Sequence, residues 1–172
     1  MNPISYWQRL KVAFQYVMPQ IYMTQAAGWL AKQKWGAVTH FVIKAFAKKY
    51  NIDMSIAEKE KFSDYASFNE FFIRLLKENA RPINQNPIAL CCPADGRVSE
   101  CGHIEDDRLL QAKGHFFSLN DLLAEDKDLT ETFKNGEFVT TYLSPRDYHR
   151  VHMPCDGTLR KMIYVPGDLF SV

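Results

Sequence analysis

Not one aspartate or glutamate occurs in the first fifty residues, yet seven basic side chains do: Arg9, Lys11, Lys32, Lys34, Lys44, Lys48 and Lys49. The same stretch holds ten aromatic residues, including all three tryptophans, Trp7, Trp29 and Trp35. Its apolar positions recur at helical spacing. Ile4, Trp7, Phe14 and Val17 mark a first segment that starts near Pro3 and stops at Pro19. A second segment covers residues 21–31. A third covers 37–50, with Phe41, Val42, Ala45 and Phe46 apolar. An amphipathic bundle packed on the chain's own core is one outcome of such a pattern, but a bundle of this length normally carries several acids. Aromatic rings with Lys and Arg and no acid are the composition of helices lying in an anionic membrane interface, where each basic group adds roughly 1 kcal/mol. Residues 1–50 are therefore expected to be a basic, aromatic membrane-binding region of amphipathic helices. Nucleic acid is a poor partner for it, because the basic residues are too sparse and the apolar ones too dense.

The other 122 residues hold 14 basic and 20 acidic groups, so a head of +7 precedes a body of −6. With 47% apolar and 24% charged residues, the 172-residue chain is not disordered and can bury a core. Cys91, Cys92, Cys101 and Cys155 form no CxxC pair and read as free thiols in a reducing compartment. No secretory leader is visible, and no run of ~18 apolar residues could cross a bilayer.

Residues 51–82 read as a helical connector. Ser67-Phe68-Asn69-Glu70 matches a capping box and predicts a helix running through Phe71, Phe72, Ile73, Leu75 and Leu76. Ala80-Arg81-Pro82 stops it. From Ile83 the pattern switches to strands and turns, so residues 83–172 are expected to form a β-rich domain. The class is α+β: amphipathic helices at a membrane surface, then a mainly antiparallel β catalytic domain that is incomplete in this chain. Residues 89–92 and 97–101 read as strands flanking the turn Pro93-Ala94-Asp95-Gly96, where Asp95 is expected to cap the turn's own amides. Asp106-Asp107 is a turn and 109–114 a strand. Ser118 caps a short helix, with Asp121 at the box position. Residues 125–136 read as a charged loop. His103 and His115 carry no assigned chemistry.

Residues 142–157, YLSPRDYHRVHMPCDG, hold the densest set of ionisable groups. Residues 138–143 read as a strand, 144–147 as a turn, and 149–153 as a second strand. Asp156-Gly157 closes a hairpin whose return strand covers 158–165. On a strand, His149 and His152 would face opposite ways and could do two different jobs. On a helix they would share a face, as a metal pair would want. Taken singly, each is better explained as a histidine satisfied by ordinary hydrogen bonds than as a catalytic group.

Three segments together resemble the phosphatidylserine decarboxylase family of the bacterial membrane-associated type. They are Phe68-Asn69-Glu70-Phe71-Phe72 with Ala80-Arg81-Pro82-Ile83, then Pro93-Ala94-Asp95-Gly96, then 142–157, above all Tyr148-His149-Arg150-Val151-His152-Met153-Pro154. The tail from Tyr164 to Val172 is also similar to the family. The resemblance implies that Asp95 and His152 form a charge relay with a serine. That serine attacks the carbonyl of the glycine before it, and the chain splits to leave a pyruvoyl group at the new N-terminus. The pyruvoyl carbonyl condenses with the amine of phosphatidylserine and draws off the electrons as CO2 departs, giving phosphatidylethanolamine. The resemblance makes His149 the helper in decarboxylation, as the acid that reprotonates the carbon. It further implies a peripheral enzyme on the cytoplasmic face of the cell membrane. Its partners would be anionic lipid and a C-terminal pyruvoyl-bearing subunit, with a homodimer admissible and no metal required.

One departure stands out. The family's serine lies in a Leu-Gly-Ser-Thr motif, and none of the eight glycines here is followed by serine. The pyruvoyl-forming serine is expected to lie beyond Val172, so that no residue of this chain carries the cofactor. The chain is therefore expected to be an N-terminal fragment of a proenzyme, inactive alone. Two rivals remain at this level. One is a metal-dependent membrane-surface hydrolase using His149, His152 and Cys155, which fall at three-residue intervals. The other is a non-catalytic lipid-binding module.

Overall fold

The computed structural model describes residue 14 and residues 18–105, 108–111 and 115–165. The expected helix over 4–17 and the turn at 106–107 lie outside or largely outside these. So do residues 166–172. Two helices open the described chain. Helix α1 (Gln20–Ala31) buries none of its residues. Ile21, Tyr22, Met23, Trp29 and Leu30 all stand in solvent. Trp29 meets Trp35 edge-on at 6.4 Å between ring centroids. Helix α2 (Ala37–Tyr50) starts after Gly36, whose φ of +55° only glycine takes readily. It ends at Asn51 in the left-handed conformation, with Ile52 N–H donating to Ala47 O at 2.9 Å, a Schellman-type stop. Its buried residues, Thr39, Ile43 and Ala47, are spaced by four and form one stripe. Val38, Phe41 and Val42 remain exposed.

That stripe closes a small core with Tyr65 and Phe71, flanked by Phe46, Phe62 and Phe68. Rings meet mostly edge to face: Phe46 with Phe68 at 5.0 Å, and Tyr65 with Phe71 at 5.5 Å. The Tyr65 hydroxyl donates to Lys59 O at 2.7 Å, and burial pushes its phenol up. Helix α3 (Phe68–Phe72) carries Phe71 into this core. Its start is the expected capping box with one change. Ser67 Oγ accepts from Glu70 N–H at 3.1 Å, while Glu70 Oε2 accepts from Ala66 N–H at 2.9 Å, one residue upstream of the usual position. The helix is shorter than the sequence predicts. Glu58 N–H donates to Leu75 O and Lys77 N–H to Ile56 O, each at 2.9 Å. This pairing claims the backbone groups that further helix would need.

Strand β1 (Arg97–His103) pairs antiparallel with β4 (Glu137–Tyr142), close to the predicted positions. Ser99 is the extra residue of a bulge between Val98 and Glu100, and its Oγ donates to Thr140 O at 3.1 Å. Strands β2 (Arg108–Gln111) and β3 (His115–Ser118) form a second antiparallel pair. Ser118 caps α4 (Leu119–Leu122), as expected. The charged loop predicted over 125–136 is instead largely helix α5 (Lys127–Phe133), started by Asp126, whose Oδ1 accepts from Leu129 N–H. Ile104 and Leu119 form a second core with Leu123 and Phe138. Five α-helices and two antiparallel strand pairs among the described residues make the fold α+β.

Candidate active site

Two stretches expected as strands, 89–92 and 149–153, lie side by side without regular strand structure. The cause is proline. Cys91 N–H donates to Pro154 O at 2.9 Å, and His152 N–H donates to Pro93 O at 2.8 Å. In an antiparallel ladder the pairs 91/154 and 93/152 would each exchange two hydrogen bonds. Pro154 and Pro93 have no N–H, so each pair exchanges one. This half-made ladder brings the Pro-Ala-Asp-Gly bend against the second histidine. The expected return strand over 158–165 also lacks regular structure, with no ladder along it among the described residues.

Asp95 and His152 both line a cleft of about 800 Å³, with Arg81, Tyr148 and Leu76 on its walls. Asp95 does not cap its own turn. Arg81 takes the carboxylate side-on, Nε to Oδ1 at 2.8 Å and Nη2 to Oδ2 at 2.5 Å. That carboxylate in turn raises the Arg81 guanidinium above its ordinary value. The His152 imidazole lies nearly parallel to the Tyr148 ring, with Nε2 and the Tyr148 hydroxyl 3.0 Å apart. No hydrogen bond joins Asp95 to the His152 ring; the two share the cleft with other partners in hand.

His149 sits in different surroundings. Its ring stacks on Phe72 at 4.1 Å with an interplanar angle of 21°. Its Nε2 is 3.0 Å from Ser144 O. A carbonyl oxygen only accepts, so Nε2 carries the proton and Nδ1 is the basic nitrogen of the neutral ring. The turn that presents Ser144 O is fixed twice. Asp147 Oδ2 accepts from Ser144 N–H at 2.6 Å, and Arg74 Nη2 donates to Arg146 O at 3.0 Å and Asp147 O at 3.3 Å. Arg74 is buried, 3% exposed, and its Nε and Nη1 have no partner among the described residues. Burial pushes its guanidinium down, while the carboxylates of Asp147 and Asp95 oppose that. Arg150 Nε donates to Ile73 O at 2.8 Å, a second tie between the end of α3 and this segment.

The two histidines thus keep different partners, on a backbone that is not a regular strand. No group of three His, Cys, Asp or Glu side chains among the described residues is placed to hold a metal ion. The hydrolase built on His149, His152 and Cys155 finds no support. Sequence reasoning missed Arg81, Tyr148, Arg74 and Phe72 as site residues. Arg81 stands inside a recognised motif, where it reads as a helix stop. Tyr148 also stands inside a recognised motif, four residues before the His152 ring it meets, whereas Phe72 and Arg74 act through contacts more than 70 residues away.

Asp95 and His152 thus reach one cleft from separate segments, while His149 is oriented apart from it against Phe72 and Ser144 O. A family model described as phosphatidylserine decarboxylase matches residues 68–172, and a second, described as PSD, matches residues 10–51. Phosphatidylserine decarboxylase proenzymes are similar along the whole chain. That of Haemophilus influenzae is 88% identical over 172 residues, all of this chain and 59% of its own length. Those of Pasteurella multocida and Mannheimia succiniciproducens are 78% and 76% identical over 169 residues, 98% of this chain and 57% and 58% of theirs. The chain belongs to the phosphatidylserine decarboxylase family, and it spans less than two thirds of the length of these relatives. The first family match runs through to Val172, so the tail that resembles the family in sequence is matched with the rest.

Proposed function

We propose that this chain is the relay-bearing part of a phosphatidylserine decarboxylase proenzyme, in which Asp95 and His152 drive self-cleavage and His149 serves decarboxylation. The observation that carries this is the single cleft shared by Asp95 and His152, held by the half-made ladder between 91–93 and 152–154. For self-cleavage, His152 takes the proton of a serine hydroxyl, and the Asp95 carboxylate orients the ring and stabilises its charged form. Among the described residues the ring nitrogen Nδ1 of His152 makes no hydrogen bond, and Nε2 meets only a phenol, so the imidazole is free to take up either partner.

A pyruvoyl group suits this neighbourhood. No glycine of this chain precedes a serine, and the chain spans 59% of the Haemophilus influenzae relative, which supports reading the serine that forms the group as part of the remaining length. Asp95, His152 and Tyr148 are the residues that would stand beside it. When present, that group supplies an electrophilic carbonyl that accepts the electrons released as CO2 departs. His149, with Nε2–H committed to Ser144 O, delivers or holds a proton at Nδ1. The stack on Phe72 keeps that nitrogen pointed one way.

The membrane is the partner proposed for the N-terminal helices. Tyr22, Trp29, Trp35 and Phe41 are each more than half exposed, and Lys32, Lys34, Lys44, Lys48 and Lys49 are exposed with them. No helix among the described residues is long and apolar enough to cross a bilayer. Binding in the plane of an anionic surface suits that combination.

The test uses the full-length protein. His152→Ala is expected to leave the chain uncut on a denaturing gel and to release no CO2 from phosphatidylserine. His149→Ala is expected to cut but to decarboxylate slowly. An uncut His149→Ala with a cut His152→Ala would reverse the assignment, and full activity in both variants would sink it.

A further inference from the structure

We infer that Arg81 is a positioning residue for the Asp95 carboxylate, remaining on it while His152 turns to meet it. This rests on the relay proposed above and adds a fourth member to it. Arg81 holds Asp95 by a side-on fork, Nε to Oδ1 at 2.8 Å and Nη2 to Oδ2 at 2.5 Å, with Nε also 2.9 Å from Oδ2. The third nitrogen, Nη1, donates to Ala80 O at 2.8 Å, so the guanidinium is fixed to its own backbone before it meets the acid. Pro82 follows and restricts the backbone at Arg81. The fork therefore sets the plane of the carboxylate as well as its place.

The pair is too open to be explained by stability. The Arg81 side chain is 50% exposed and that of Asp95 25% exposed. Ion pairs so accessible to water add little to folding. A bidentate fork that adds little to folding but fixes a carboxylate at the edge of a cleft acts through direction. Nor does the fork exhaust the acid. An ionised carboxylate offers about four lone-pair sites, and the Arg81 contacts engage one on Oδ1 and two on Oδ2. The site left on Oδ1 can accept an imidazole N–H. Arg81 and His152 then act together on one acid, and the ring, now 3.0 Å from Tyr148 Oη, is the part that moves.

The experiment is the rate of self-cleavage of the full-length proenzyme, followed on a denaturing gel. Arg81→Ala is expected to slow it about 10- to 100-fold, the range found for groups that orient metal-ligating side chains. Thermal unfolding should stay unchanged. Arg81→Lys should recover part of the rate, because a lysine restores the charge without the fork. Added ethylguanidinium should speed Arg81→Ala and leave the unsubstituted protein unaffected. Cleavage of both variants at the native rate or faster, while Asp95→Asn stays uncut, would overturn the inference and mark Arg81 as a bystander or a competitor of His152. Slow cleavage that neither lysine nor ethylguanidinium improves would also overturn it. If Asp95→Asn itself cuts normally, the relay has failed, and the role of Arg81 falls with it.

Discussion

Gly96→Ala is a sharp structural test, because the site turn and the β1–β4 pair meet at this residue. Gly96 does not take a left-handed φ, so its need for glycine is one of space. A Cβ there would lie 2.5 Å from Tyr142 O, 3.1 Å from Tyr142 C and 2.9 Å from Thr141 Cγ2. Two of these atoms are backbone and cannot rotate away. The oxygen is roughly 1 Å closer than ordinary contact. The start of β1 must therefore lift from the end of β4, which puts the Arg97–Tyr142 rung at risk. Overpacking costs about 1–3 kcal/mol and a lost rung about 1 kcal/mol, so the variant should be destabilised by about 2–4 kcal/mol. Gly102→Ala is the control. Its Cβ would meet Phe138 Cε1 at 3.6 Å, an ordinary contact, and the cost should stay within about 0.5 kcal/mol. Urea unfolding of the full-length protein, followed by far-ultraviolet circular dichroism, measures both. Asp95 is the preceding residue, so Gly96→Ala should slow self-cleavage as well, since a misplacement near 1 Å can cost about 100-fold. Equal stability of the two variants would refute this packing argument.

Ser67→Ala removes the cap of α3 and should cost about 1 kcal/mol in the same urea assay. Glu70 carries the other half of the box. Its hydrogen bonds from Lys59 and from Ala66 N–H hold its carboxyl below the ordinary 4.5. A depressed folded value means the stabilisation is present above pH 4.5 and is lost as pH falls through that lower value. Glu70→Gln should therefore flatten part of the acid side of a stability–pH curve, and an unchanged curve would count against the contact. Phe72→Ala removes the ring under His149. It should leave self-cleavage near the native rate and slow CO2 release by at least about tenfold, compared with a general acid's typical 10²–10⁴.

Much of the local structure was legible because local chemistry decided it. The capping box at Ser67, the cap at Ser118 and strands β1 and β4 follow from short-range signals. So do the two helices over 20–31 and 37–50. The failures have long-range or competing causes. The helix expected to reach Leu76 stops at Phe72 because residues 56–58 pair with 75–77. The strand over 149–153 is only half made because Pro93 faces His152 and Pro154, next in its own segment, faces Cys91; neither proline looks harmful until the two segments are known to be neighbours. Helix α5 hides in a charged segment whose N-cap, Asp126, looks like one more solvated acid; that aspartate also pairs with Lys161. In the site, Asp95 was named by resemblance while its sequence context suggested a turn cap. What holds it, Arg81, is 14 residues away and reads locally as a helix stop. Arg74 reaches the 144–147 turn across more than 70 residues, which no periodicity reports.

The relay itself is best measured by a double-mutant cycle on the slow residual self-cleavage that remains over incubations far longer than the native chain needs, using full-length protein with Asp95→Asn, His152→Ala and both together. Residues that act as one unit lose their effect together, so the double variant should cleave no more slowly than the slower single variant. Independent, multiplying losses from the two substitutions, or cleavage at the native rate in either one, would contradict an acid and an imidazole working on the same proton.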